Sequence, residues 1–387
     1  MNGTSPSGWP AVWTAFVVAV FGWGVGFYGP AVYLVTLHRE QGWSISTLSA
    51  AITAHFLVSA LLITRLPTLY RRLGLASVTI AGTFLAAAGV LAWTGARQPW
   101  QLVPALALSG AGWSTMSGAG LNAMVAPWFD RERPKAISTA FNGASVGGLV
   151  FAPIWTGAIG SVGMPAAAAS IAAAMLLAVC PLAWLYLRHP PTPAVPRNER
   201  PATGRELCRL ALFRTLSAAF ALGLFAQIGL FSHLIARLTP AAGTELAALA
   251  VSLTTLCAIF GRTLLGWFMG DADRRHVAAV NLSVQAAGSL LLAFGDGKVT
   301  LVAGCVLFGL GVGNLTSLPP LIAQREFRSA DVGTVVALVT AINQAVFAFA
   351  PAIFGVLHDL NTNYVAAFVL AAVAQLAAAT IVLGGRR

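Results

Sequence analysis

Arg188-His189-Pro190-Pro191-Thr192-Pro193-Ala194-Val195-Pro196-Arg197-Asn198-Glu199-Arg200-Pro201, continuing to about Arg209, is the one long hydrophilic stretch of this chain, and its prolines favour an extended, solvated linker. On either side of it charge almost vanishes. A charge near the centre of a bilayer costs roughly 2.5–3.5 kcal/mol, so gaps between charged residues locate membrane spans. Upstream, residues 1–38, 41–64, 73–96 and 98–129 carry no Asp, Glu, Lys or Arg, and each holds an apolar run of the roughly 20 residues that crossing requires. Residues 136–187 are long enough for two spans, with a break at Gly160-Ser161-Val162-Gly163-Met164-Pro165, where Gly and Pro punctuate a turn. Downstream the gaps are 215–236, 246–270 (interrupted by Arg262), 276–295, 299–324, 332–358 and 360–385. The reading is an all-α membrane protein of 12 transmembrane helices: a six-helix bundle over 1–187, a linker over 188–210 and a second six-helix bundle over 211–387. Two such halves are the pattern of transporters built from internal repeats, whose substrate site lies near the midplane between them. The loop after span two carries Arg71-Arg72 and the loop after span eight Arg274-Arg275, a repetition that reads as the same step taken twice.

The 387 residues are 57% hydrophobic and only 9% charged, with a mean hydropathy of +0.78, whereas soluble domains carry about 25% charged residues. That excludes a soluble fold. The formal charge of +11 would suit a nucleic-acid partner only if the basic residues clustered on one face, and here they arrive in small groups between apolar stretches. They follow instead the positive-inside rule. With both termini inside, the inner loops and span ends hold Arg65, Arg71, Arg72, Arg131, Arg133, Lys135, the six arginines from Arg188 to Arg214, Arg274, Arg275, Arg325, Arg328, Arg386 and Arg387, against Arg39, Arg97, Arg237 and Lys298 outside. The expected location is the cytoplasmic membrane, multi-pass, with both termini cytoplasmic. The first apolar segment lacks a basic leader and is long enough to span, so it is expected to be retained. Cys180, Cys208, Cys257 and Cys305 show no paired spacing, which indicates neither a disulfide framework nor a metal site.

Chemistry-bearing motifs are sparse. There is no P-loop and no His-Glu-x-x-His, and no cofactor is implied. Gly143-Ala-Ser145-Val-Gly147 matches a nucleophile elbow in letters, but it lies in span five, where small-residue helix packing is its reading. The chain is therefore not read as an enzyme. Arg262 is the single intramembrane charge. It has three readings: a snorkelling arginine that reaches the headgroups, a structural hydrogen-bond donor, and, as preferred here, a fixed cation whose planar fork holds a substrate carboxylate. Gln227 and His233 in span seven, Asn314 in span ten, Asn343 and Gln344 in span eleven and His55 in span two each need polar partners. His55 and His233 are candidates for proton coupling. Gly22-Trp23-Gly24-Val25-Gly26-Phe27-Tyr28-Gly29-Pro30 predicts a closely packed, kinked span one, in which Trp23 and Tyr28 are candidate walls of a substrate cavity. Arg71, Arg72, Asp271, Asp273 and Arg274 are the candidate gating residues of the inner loops.

Six plus six spans with arginine-bearing loops and a basic linker resemble the major facilitator superfamily over essentially the whole chain. Trp128-Phe129-Asp130-Arg131-Glu132-Arg133-Pro134-Lys135-Ala136, then Phe141-Asn142-Gly143 to Gly148 and Pro153, are similar to the span-four-to-five signature of monocarboxylate porters and oxalate/formate antiporters. Gly261-Arg262-Thr263-Leu264-Leu265-Gly266, Gly42-Trp43-Ser44 and Gly355-Val356-Leu357-His358-Asp359 resemble the same branch. The resemblance implies that Arg262 binds the substrate carboxylate. The chain departs from the pattern at Arg71, where the superfamily places an acid, at Ala258, where proton-coupled porters often place an aspartate, in a span one without lysine, and at Asn343-Gln344, where oxalate exchange uses a second cation. A site with one cation favours a monoanion, because a second buried carboxylate would go unpaired. The expected function is thus secondary transport of a small organic anion, a monocarboxylate, by alternating access in the lipid bilayer, with protons as a candidate coupling ion. The alternatives are transport of a neutral or weakly acidic compound, as in cyanate-permease-like or drug-efflux branches, with Arg262 structural, and a non-transporting membrane sensor.

Overall fold

A computed structural model describes residues 8–191 and 200–386; Arg197, Glu199 and Arg387 lie outside the described residues, as does most of the Pro-rich core of the linker. Among the described residues all regular structure is helical. Eleven helices among the described residues are long and apolar enough to cross a membrane: Trp9–Gln41, Ser46–Ile63, Leu75–Gly95, Arg133–Val162 and Met164–Tyr186 before the linker, and Ala211–Ala242, Leu249–Phe268, Arg274–Phe294, Lys298–Glu326, Ser329–Asn361 and Val365–Leu383 after it. The predicted span four is present in two pieces, Leu102–Met116 (15 residues) and Gly118–Val125 (8 residues), with Ser117 extended between them. End to end those pieces reach about 34 Å at helical rise, enough for the hydrocarbon core. The spans are numbered one to twelve in this order.

The chain divides into two compact units, Met1–Glu199 and Arg200–Arg387. Both leave large apolar side chains exposed, among them Leu177 in the first and Phe268 and Val299 in the second, a surface that suits lipid rather than water. Packing inside each unit is set by glycines that let helix backbones touch. In the first, Gly89 lies against the backbone of Ser109, Gly112 against that of Ala86, and Gly110 against the His55 carbonyl and Val58. In the second, Gly288 lies against Phe308, Gly311 against Gln285, and Gly309 against the Thr254 carbonyl and Cys257. All these pairs share one register, a separation of 199 residues (309 less 110), and spans three and nine start and stop in it. The repeat that the sequence showed faintly is therefore a repeat of contacts. Its letters are mostly changed.

The structure corrects two expectations. Arg71-Arg72 fall opposite Gly270-Asp271, while Arg274-Arg275 fall opposite Leu75-Ala76, so the paired arginines are not equivalents. The end of the supposed linker is also not extended. Gly204–Arg209 is a short helix with a Thr203–Glu206 capping box, a reciprocal arrangement that satisfies the first-turn donors. Its Leu207 is fully buried, and Ala202 N donates to Asp331 Oδ1 at 2.6 Å, so this piece belongs to the second unit. The Glu206 carboxylate, accepting from the Thr203 backbone and hydroxyl, is held below the usual carboxylate range.

Candidate functional site

Breaks interrupt spans one and four in the first unit and spans ten and eleven in the second; Trp23, Tyr28 and His55 gather at the break of span one and Arg262 at that of span ten. In span one, Pro30 has no N–H to offer the carbonyl of Gly26. The preceding six residues, Gly22–Phe27, run as a π-segment, with Tyr28 N donating to Trp23 O at 2.8 Å. Three successive carbonyls then receive side-chain donors: Gly24 from Trp155 Nε1 at 3.2 Å, Val25 from the Tyr33 hydroxyl at 3.2 Å, and Gly26 from His55 Nε2 at 3.1 Å. Backbone groups freed within a membrane must find such partners. His55 Nδ1 lies 2.8 Å from Ser109 Oγ, which accepts from Trp93 Nε1 at 3.0 Å. Because a carbonyl only accepts, His55 Nε2 carries the hydrogen of that bond, and with Nδ1 on Ser109 both ring nitrogens are used. Trp23 meets Trp113 at 4.8 Å between centroids, Phe27 meets Tyr28 at 5.1 Å and Phe56 at 5.8 Å, and His55 meets Phe56 at 4.9 Å. Trp23, Tyr28 and His55 thus belong to one aromatic cluster. Gly143 and Gly147 lie one turn apart against the carbonyls of Phe16 and Val20, and they pack span five onto span one.

In span ten the helix stops at Val312 and restarts at Asn314. The carbonyls around the break again take side-chain donors. Leu310 O accepts from Asn314 Nδ2 (3.1 Å) and Gly311 O from Asn281 Nδ2 (3.2 Å), while Gly313 O accepts from Thr316 Oγ1 (3.1 Å) and from Arg262 Nε (2.7 Å). Arg262 is 4% exposed and crosses from span eight directly over Gly313, where a Cβ would strike its guanidinium. Gly261 beside it fits against the Leu310 backbone. The glycine before the arginine and the one under it are both steric requirements of a cation laid across a helix break.

The other predicted residues are placed as follows. Gln227, Asn343 and Gln344 are buried on spans seven and eleven, which pack together; Gln227 Oε1 and Asn343 Oδ1 are buried acceptors without a hydrogen bond. His233 is half-buried, donates Nε2 to Pro351 O at 3.0 Å and stacks on Phe354. Of the gating candidates, Arg71 and Arg72 are exposed, and Arg71 donates to Thr68. Asp271 pairs with Arg325 at 2.6 Å, Asp273 caps span nine through the backbone of Arg275 and His276, and Arg274 donates to Gly270 O and Ala272 O. Sequence reasoning missed the centre of this region. Arg275 is 1% exposed and uses every N–H of its guanidinium: a fork–fork pair to Glu326 at 2.7 Å, Thr215 Oγ1, Val382 O and Leu212 O. It ties spans seven, nine, ten and twelve, and its only sequence signal was a second arginine that looked like half of a pair.

A sequence profile described as the Major Facilitator Superfamily matches residues 13–351. The chain is 25% identical over 386 residues to monocarboxylate transporter 13 of Rattus norvegicus, covering 97% of this chain and 88% of that protein. It is 28% identical over 269 residues to the MFS transporter asaE of Aspergillus flavus, covering 66% of this chain and 58% of the relative. Among solved structures, FucP in its outward conformation superposes with a TM-score of 0.73 at 16% identity, covering 96% of this chain and 98% of that one. The human organic anion transporter MFSD10 (TETRAN) superposes with a TM-score of 0.74 at 16% identity, covering 98% and 100%.

Proposed function

Since the chain belongs to the Major Facilitator Superfamily and is a multi-pass membrane transporter rather than an enzyme, we propose that its cargo is a small organic monoanion, a monocarboxylate, held by Arg262. One observation carries the reading: Arg262, well inside span eight, is a buried guanidinium whose Nε is pinned on a backbone carbonyl at a helix break. Pinning Nε fixes the plane of the fork, and a fixed planar fork recognises a carboxylate by two parallel hydrogen bonds. One such cation neutralises one negative charge, so a dicarboxylate is disfavoured. The likeness to rat monocarboxylate transporter 13 supports the same cargo. Tyr28, Trp23, Gln227, Asn343 and Gln344 shape the substrate's surroundings, and Arg71, Arg72, Asp271, Asp273 and Arg274 act in gating. The excess of basic residues on the inner loops supports cytoplasmic termini and a location in the plasma membrane.

The same Nε bond also favours a second reading, in which Arg262 serves only to staple span eight to span ten and the cargo is neutral or weakly acidic. Uptake of radiolabelled mono- and dicarboxylates into proteoliposomes separates the two. Loss of monocarboxylate uptake in Arg262→Ala with partial recovery in Arg262→Lys supports the binding role; unchanged uptake in Arg262→Ala overturns it. A pH gradient imposed in the same assay tests proton coupling, and uptake indifferent to the gradient removes His55 and His233 from the cycle.

A further inference from the structure

The contact register isolates what is special about Arg262. Its equivalent in the first unit is Ile63, and the equivalents of Asn281 and Asn314 are Gly82 and Thr115, which simply touch. Thr115 Oγ1 donates within its own helix to Gly112 O, and Ser117 Oγ donates to Ser114 O at 2.7 Å. The second unit keeps the latter bond, as Thr316 Oγ1 to Gly313 O. It adds two things, the arginine and an asparagine pair in which Asn314 Nδ2 donates to Asn281 Oδ1 at 2.8 Å. Asn281 and Asn314 are 7% and 2% exposed. Asn314 Nδ2 also donates to Leu310 O and Asn281 Nδ2 donates to Gly311 O, both in the turn just before Gly313, whose own carbonyl meets Arg262 Nε.

We infer that Asn281 and Asn314 are positioning residues for Arg262: they hold the span-ten break from spans nine and ten so that the Gly313 carbonyl sets the orientation of the guanidinium. This rests on the carboxylate-binding reading of Arg262. The asparagines do not touch the cargo. Their effect passes through the arginine and so depends on its Nε–H, which a lysine lacks.

The test is initial-rate uptake of radiolabelled acetate, lactate, pyruvate and benzoate into proteoliposomes, continued with the best-transported probe. Asn281→Ala, Asn314→Thr and Gly313→Ala, whose added Cβ displaces the guanidinium, are each measured with Arg262 and with Arg262→Lys. The expected result is a KM raised about tenfold, the worth of one net hydrogen bond, with Vmax within about twofold and no further rise in the lysine background, a coupling that a double-mutant cycle reads directly. The same KM rise in both backgrounds, or a fall in Vmax at unchanged KM, means that the asparagines only support the fold and overturns the inference. If Asn281→Ala does not yield folded protein by thermal unfolding, Asn281→Asp carries the test, because it keeps the acceptor for Asn314 while losing the donor to Gly311. Arg262→Ala with unchanged uptake overturns the carboxylate reading itself. Arg262→Ala without uptake, together with asparagine variants of normal KM, leaves that reading standing and overturns the inference alone. Absence of uptake of every probe by the unaltered protein overturns both.

Discussion

The two units share a scaffold and differ in where they place polarity. In register they match glycine for glycine at Gly89 and Gly288, Gly110 and Gly309, and Gly112 and Gly311, because a helix pair packed backbone to backbone tolerates no other residue there. What fills the space between those contacts is unlike. The first unit puts its polar chain, Trp93–Ser109–His55, beneath the π-segment of span one; the equivalents of those three residues in the second are Leu292, Phe308 and Thr254, all fully buried and two of them within its apolar core. The second unit puts Arg262, Asn281 and Asn314 at the break of span ten, where the first has Ile63, Gly82 and Thr115. The lesson is that duplicated geometry leaves each half free to dress its helix breaks with different donors. A histidine serves the break of span one and a permanent cation that of span ten.

The comparison can be broken most forcefully at Arg275, whose equivalent is the small apolar Ala76. Arg275→Ala leaves Glu326 and three other acceptors without their donor, and removing one partner of a buried ion pair costs about 3–5 kcal/mol. Thermal or denaturant unfolding in detergent is expected to show a loss of that size, whereas Arg72→Ala, exposed in the first unit, stays within about 0.5 kcal/mol. A next, smaller effect is expected at His55. Replacing it by alanine takes the side-chain donor from the Gly26 carbonyl, a desolvation cost of about 1–3 kcal/mol, while Ser109 keeps its bond from Trp93. Thr254→Ala, its equivalent, removes a hydroxyl that donates within its own helix and meets the Cys305 thiol, a weak partner, and is expected to cost less; equal losses at the two positions would mean that the units are more alike than their bonds. Trp155→Phe removes one donor from Gly24 O and is expected to cost about 0.5–1.5 kcal/mol, making the first unit resemble the second, which has Phe354 there.

The smallest expected effect lies at the entry to the second unit. The Glu206 carboxylate is held below its ordinary range by the Thr203 backbone and hydroxyl. A depressed carboxylate contributes stability above its unfolded pKa and loses it as the pH falls through the folded one. The helix Gly204–Arg209 should therefore loosen in mild acid, read as faster amide exchange around Leu207. Glu206→Gln should show less of this dependence.

Some of the candidate site was legible in residue letters. Arg262 stood out because a charge inside a span is costly, and the span-one glycines and Pro30 announced a bend because proline lacks a donor. The partners of those residues were not legible. Nothing local links Gly26 to His55, or Gly313 to Arg262, since each pair is joined only after separate helices pack. Arg274-Arg275 shows the opposite failure, in which a resemblance of letters to Arg71-Arg72 proved to be out of register once the contacts were in hand.

By itself the sequence determined that this chain crosses a membrane in many apolar helices, because the bilayer penalises charge at every position independently of what the helix packs against. It also supplied the family resemblance, through motifs that are continuous in the chain. Only the tertiary structure decided which carbonyls the two helix breaks expose, which donors reach them and which of two adjacent arginines is buried. Those are properties of helices brought within hydrogen-bonding distance, and the satisfaction of a freed backbone group in a membrane depends on the neighbour that arrives, not on the residue next in line.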